Sequence, residues 1–274
     1  MAVLVLTAGR ALVAQSGPTE GYPAFRTMLG AGQKISLYSA NLNFTFAIPI
    51  VHKPGRAGLN FRADLVYNSS IYTNTGGAFG LSGGPMEIAP GWSLMVPSGQ
   101  DGWRSSGGYC TPPPPAPTGG AVPLIKASYR IYNSFYYWDA TGTLHSFPSV
   151  KLESSNSCNA GISQSSGGAS DGSGYFLRAY ISGSSVGEVR VYNPDGIVAT
   201  FNGSSAQVED TNGNYITVST LTSDSTDTTG TQVISRTEAS NCLSPVDGKT
   251  YVQCDTYTVA EPGGATGNFT IYLA

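Results

Sequence analysis

Three times in the second half of the chain an aspartate is followed, three residues on, by a glycine between two apolar stretches. Asp139-Ala140-Thr141-Gly142 precedes "TLHSF", Asp210-Thr211-Asn212-Gly213 precedes "NYITV", and Asp227-Thr228-Thr229-Gly230 precedes "TQVIS". A fourth reversal, Asp195-Gly196, precedes "IVATF". Aspartate first and glycine fourth is the signature of a type I turn whose last residue takes the left-handed conformation. Each unit therefore reads strand, tight turn, strand. No stretch shows helical periodicity. The chain is expected to be all-β, built of antiparallel hairpin repeats that form a spiralling sheet or part of a β-shell, with little or no helix.

The first half follows the same grammar with longer strands. In "NLNFTFAIPIV" the residues Leu42, Phe44, Phe46, Ile48 and Ile50 fall on one face. In "LNFRADLVY" Leu59, Phe61, Ala63 and Leu65 do the same. Between them lies Pro54-Gly55-Arg56-Ala57-Gly58. Pro54 cannot donate to a ladder, and Gly55 and Gly58 are free to adopt positive φ, so the loop is expected to reverse the chain, with Arg56 facing solvent.

Four regions result. Residues 1–16 read as a signal-like segment, too short to span a membrane; the other reading of "VLVLT" is a first strand. Residues 17–108 form an N-terminal β region. Residues 109–125, with "CTPPPPAPTGG", form a proline-rich connector, and residues 126–274 carry the degenerate hairpins. "SNSCNAGISQSSGGASDGSG" is expected to be a flexible polar insertion. Charged residues are only 11% of the chain and the net charge is −3. That balance offers no basic field for nucleic acid and points to an exported β-protein. No transmembrane span is expected.

Cys110, Cys158, Cys242 and Cys254 contain no Cys-x-x-Cys pair, and His52 and His145 lie far from them, so no zinc site is expected. An even count in an exported chain favours disulfides. Of three pairings, the shortest loops join Cys242 to Cys254, over a turn at Val246-Asp247-Gly248-Lys249, and Cys110 to Cys158.

Candidate chemistry is sparse. Gly80-Leu81-Ser82-Gly83-Gly84 and Gly183-Ser184-Ser185-Val186-Gly187 match Gly-x-Ser-x-Gly, but neither stands between a strand and a helix as a nucleophile elbow requires. Asp210, Asn212 and Asn214 imitate the start of a calcium loop; Tyr215 and Leu221 then replace its glycine and glutamate, which excludes an EF-hand. His145 lacks a paired carboxylate at a recognisable spacing and reads as a surface histidine. No catalytic residue, metal ligand or cofactor is assigned. Of the aromatic set Tyr129, Tyr132, Phe135, Tyr136, Tyr137 and Trp138, Tyr132 and Tyr136 are placed on one strand face, with Phe135 and Tyr137 on the other. Aromatics on both faces favour burial between layers. The alternative is a sugar-stacking platform of Tyr132, Tyr136 and Trp138.

The loop Pro54-Gly55-Arg56-Ala57-Gly58, the following Tyr67-Asn68-Ser69, and Gly91-Trp92-Ser93-Leu94 together resemble the N-terminal segment of RHS/YD-repeat proteins and the related region of insecticidal toxin-complex proteins. The Asp-x-x-Gly hairpins are similar to their repeats. The resemblance runs from Ser36 to Ile234. It implies a non-enzymatic β-shell segment, at the cell surface or enclosing a toxic cargo, and makes the chain an N-terminal fragment or a short stand-alone relative. The alternatives are a secreted β-sandwich that binds carbohydrate or acts as an adhesin, and an extracellular filament subunit. "TGNFTIYLA" reads as an unprotected edge strand, so downstream repeats or a neighbouring subunit are the expected partners.

Overall fold

In a computed structural model the described residues are 25–28, 34–38, 43–55, 59–69, 72–75, 78–81, 87–89, 91–110, 127–155, 160–219, 224–260 and 265–273. The signal-like segment and most of the proline-rich connector lie outside them. All regular structure among them is strand, and every pairing is antiparallel.

The first sheet comprises β1 (Phe25–Met28), β2 (Lys34–Tyr38), β3 (Asn43–Lys53) and β4 (Phe61–Asn68). A separate hairpin follows, β5 (Tyr72–Thr75) with β6 (Ala78–Leu81). The chain then returns through β7 (Glu87–Ala89) to β8 (Trp92–Met95), giving the order β1-β2-β3-β4-β8-β7. The second sheet centres on β10 (Ala127–Trp138), which pairs with β9 (Gln100–Cys110), β11 (Leu144–Phe147) and β12 (Leu152–Glu153).

The third sheet is a ten-stranded meander in strict chain order. Its strands are β13 (Gln164–Gly168), β14 (Phe176–Ser182), β15 (Ser185–Tyr192), β16 (Val198–Asn202), β17 (Ser205–Glu209), β18 (Tyr215–Ser219), β19 (Ser225–Asp227), β20 (Gln232–Leu243), β21 (Thr250–Ala260) and β22 (Thr266–Leu273). The insertion expected to be flexible thus supplies β13, an ordered edge strand. Its glycines fit this placement: a Cβ on Gly167 would meet the Ser149 hydroxyl, which glycine leaves undisturbed.

The repeated turns share one geometry. The N–H of Asp210 donates to the carbonyl of Asn214, that of Gly213 donates to the carbonyl of Asp210, and Asp210 Oδ1 accepts from the N–H groups of Asn212 and Asn214. Asp139 and Asp227 do the same for Thr141 and Thr143, and for Thr229 and Thr231. Gly142, Gly213 and Gly230 sit at φ 76°, 77° and 77°. In the fourth turn Asn193, not Asp195, takes the first position: its Oδ1 accepts from Ile197 N–H, and Gly196 lies at φ 83°. Two tighter reversals, Gly183-Ser184 and Gly203-Ser204, place glycine first at φ 64° and 60°, as a type II′ hairpin requires.

One core runs through all three sheets. Phe61 and Leu94 come from the first, Phe135 and Phe147 from the second, Leu177 and Ile234 from the third. A smaller core joins Ala47, Val66 and Met95 to Trp138 and Leu144. β10 reaches both because it carries an extra residue. Its register with β9 shifts between Asn133 and Tyr136, with Ser134 at φ 52°. A bulge reverses side-chain parity. Tyr132, Phe135 and Tyr137 therefore all enter the main core, and Tyr136 and Trp138 the smaller one. This corrects the expected faces, which put Tyr132 with Tyr136.

The face of β3 is corrected as well. Thr45, Ala47 and Val51 are buried, whereas Phe44, Phe46 and Ile48 stay half-buried. Both sides of this sheet are covered to some degree, so the small residues pack tightest. A register shift between Pro49 and Val51 then brings Val51 into the main core. Leu42 lies outside the described residues.

Candidate functional site

Three of the elements singled out in the sequence lie on the first sheet, the root of the loop at one end of β4 and Tyr67-Asn68 with Gly91-Trp92 at the other. The reversal after β3 is anchored at its root. Gly55 N–H donates to Asn60 Oδ1 at 3.0 Å, and Lys53 Nζ lies 3.4 Å from Asp227 Oδ2, on one of the repeated turns. Gly55 is needed for close approach and not for a positive φ: a Cβ there would collide with the carbonyl oxygen of Leu59. Arg56 and Gly58 lie outside the described residues. A fully buried side chain such as Phe147 contributes about 2 kcal/mol. The half-exposed Lys53–Asp227 pair contributes about 0.5 kcal/mol. Apolar burial therefore joins the sheets, and the loop's charge adds little.

The other two motifs meet on adjacent strands. Tyr67 pairs with Trp92 and Leu65 with Leu94 across β4 and β8. The Tyr67 and Trp92 rings lie 5.2 Å apart, and Asn68 N–H donates to the carbonyl of Gly91 at 2.7 Å. Leu94 is fully buried in the main core.

His145 is the largest departure from expectation. It is 2% exposed and held between two carboxylates. Its Nδ1 lies 2.6 Å from Asp171 Oδ2 and its Nε2 3.5 Å from Asp139 Oδ2. The imidazole stacks on Tyr175 at 4.1 Å and faces Tyr137 at 6.2 Å. Burial alone would lower its pKa, but the hydrogen bonds and charges of Asp139 and Asp171 outweigh this and raise it. Burial pushes the Asp171 carboxyl up, while hydrogen bonds from Ser173 and His145 bring it below its ordinary value. Nothing in spacing could reveal this group, because Asp171 arrives from the turn between β13 and β14. An imidazole this enclosed ties two hairpins together and has no open face for a substrate.

Asp101, opposite Tyr137 in the β9–β10 ladder, has its carboxyl pushed up to about 7 by burial, against a backbone hydrogen bond that lowers it. Burial likewise raises the hydroxyl of Tyr136, with the charge of Asp101 adding to it. A half-open cleft of about 340 Å³ lies beside this cluster, lined in part by Tyr137, Tyr175 and Arg62.

The remaining candidates are dispersed. Tyr132 and Trp138 are buried and belong to different cores, and Tyr136 is half-buried, so the three share no exposed platform. Tyr132 donates instead to the carbonyl of Ser184 at 2.6 Å. Ser185 sits in the β14–β15 reversal, with its hydroxyl turned to the carbonyl of Ser182; Ser82 lies outside the described residues. The Asp210 carboxylate is occupied by Asn212 and Asn214. Among the described residues no group of three His, Cys, Asp or Glu side chains could hold a metal ion. Cys242 and Cys254 form a disulfide with Cα atoms 6.1 Å apart. Cys110 is also disulfide-bonded, and its expected partner Cys158 lies outside the described residues. No helix among the described residues is long and apolar enough to cross a membrane.

No family model matches the chain, and no curated protein or solved structure matches it either.

Proposed function

We propose that the chain is a non-enzymatic structural segment of an exported RHS-like protein, contributing antiparallel sheet to a shell or cell-surface assembly. The observation that carries this reading is the ten-stranded meander packed through one core against the sheet that holds the Pro-Gly-Arg loop and the Gly-Trp-Ser-Leu element. A scaffold of this kind grows by adding hairpins, and the repeated Asp-x-x-Gly turns are the means of adding them. The Cys242–Cys254 disulfide agrees with export to an oxidising compartment.

Among the described residues β22 pairs with β21 alone, which leaves its outer backbone groups open to a further strand. That strand comes from downstream repeats or from a neighbouring subunit. The isolated chain is expected to gain mass in light scattering as concentration rises, with β22 amides gaining protection from hydrogen exchange in step. A monomer at every concentration, with unchanged β22 exchange, overturns the edge assignment. Reading the gene beyond Ala274 tests the family assignment: continued Tyr-Asp repeats support it, and an immediate stop codon counts against it.

A further inference from the structure

The last three strands of the meander differ in charge. β20 carries Arg236 and Glu238 and β21 carries Asp255, whereas Thr266–Leu273 holds no charged side chain. Like charges facing each other across two strands destabilise the pair, and natural edge strands carry charge to prevent pairing. An uncharged edge meets an identical copy of itself without that repulsion, as a self-complementary two-fold contact requires.

A row of threonines sets the register. Thr237 pairs with Thr256 across β20 and β21, and Thr256 with Thr270 across β21 and β22. The Thr256 and Thr270 hydroxyls lie 3.0 Å apart. The row stops at the open edge. Threonine opposite threonine is a favourable cross-strand pair, so the strand that continues the row offers a threonine to Thr270. Phe269 and Ile271, on the other face of β22, pack against the main core. Antiparallel pairing with a second β22 about Thr270 satisfies both faces. It sets Thr270 against Thr270, Asn268 against Tyr272 and Phe269 against Ile271. Leu273 then falls opposite Gly267, which has no side chain to crowd it and lines a cleft of about 360 Å³ shared with Ile50, Phe269, His52 and Lys53.

We propose that β22 pairs with β22 of a second copy of this chain, antiparallel about a two-fold axis at Thr270, so that two meanders join into one continuous sheet. The pairing rests on the open edge of β22 argued above and names its occupant. It also closes: a two-fold contact uses the same edge on both copies and ends at a dimer.

Sedimentation and light scattering on the full chain, with two cysteine variants, test this. The mass is expected to rise with concentration and to level at twice the chain mass. No described native cysteine is free. Thr270→Cys is expected to give a disulfide-linked dimer under mild oxidation, because the two Cα atoms face each other within bonding range. Asn268→Cys is expected not to link, because its two copies stand four residues apart along the strands, about 14 Å. Thr270→Lys, folded by near-ultraviolet circular dichroism, sets two ammonium groups opposite each other and should raise the dissociation constant about tenfold or more. Mass that climbs past the dimer without levelling overturns the proposal and leaves the open edge standing. So does a dimer that Thr270→Cys fails to link or that Thr270→Lys leaves unchanged. A monomer at every concentration, with β22 exchange unchanged, overturns the open edge itself and the proposal with it.

Discussion

His145 and Asp171, twenty-six residues apart, are joined by a 2.6 Å contact between the imidazole Nδ1 and a carboxylate oxygen, and this contact ties the β10–β11 hairpin to the β13–β14 turn. The imidazole pKa is raised in the folded state, so its contribution to stability is complete below the unfolded value and is lost as pH rises through the folded one. The Asp171 pKa is lowered, so its contribution is present above its ordinary value and is lost as pH falls through the depressed one. The two windows overlap from the ordinary carboxylate range up to about pH 6.5. His145→Gln should cost about 3 kcal/mol in that window, because it leaves buried carboxylates without a cation. Melting curves of both proteins should show the gap narrowing towards alkaline pH. A gap independent of pH would contradict a charged imidazole. The difference between proteins is the useful quantity, since Asp101, raised to about 7, lowers the stability of both as pH rises from the ordinary carboxylate range to about 7.

Gly55→Val should destabilise by about 2 kcal/mol, as an overpacked site does, because its Cβ meets the Leu59 carbonyl. Lys53→Ala should cost less than about 1 kcal/mol. Urea unfolding of the two variants checks the order. A larger loss for Lys53→Ala would mean that the loop's charge holds the sheets.

The turn glycines separate backbone cost from crowding. No atom lies within 4 Å of a Cβ built on Gly213, so a substitution there meets only the cost of φ 77°. Gly213→Val should cost about 1–3 kcal/mol and Gly213→Asn markedly less, since asparagine tolerates the left-handed region. Equal melting temperatures for the two variants would show that the turn relaxes to another geometry.

Reducing the Cys242–Cys254 bridge, or replacing both residues by serine, should remove about 3 kcal/mol in the chain-entropy account of a short closed loop. Denaturant titration with and without reductant measures it. Non-reducing peptide mapping should recover the two cysteines in one linked fragment.

Local chemistry made the strands and turns legible, because period-two alternation and Asp-x-x-Gly are properties of a few neighbouring residues. The shared geometry of the Asp139, Asp210 and Asp227 turns follows from that. The fourth turn was legible only in part: Asn193 does the work of the aspartate, and Asp195 two residues later is the only aspartate beside the turn glycine. The Cys242–Cys254 bridge was legible because the hairpin that brings the pair together lies between them. Whatever depends on a single inserted residue was not legible. The bulge at Ser134 brings Phe135 and Tyr137 to the face of Tyr132 and takes Tyr136 off it, and no alternation pattern announces it. Contacts made across sheets were equally hidden: Asp171 on His145, Tyr175 on the same ring, and Arg62 at the edge of the cleft. Their separation in sequence carries no periodic signal.

The strict chain order of the third sheet has a mechanical consequence. Each strand is held edgewise only by the strands before and after it, so a load drawn along the chain peels the meander one hairpin at a time. The Cys242–Cys254 bond interrupts that sequence near the end. It spans twelve residues, which withholds about 40 Å of extensible length from any pulling force. Under tension the β20–β21 tip stays a closed loop while the rest of the sheet lengthens.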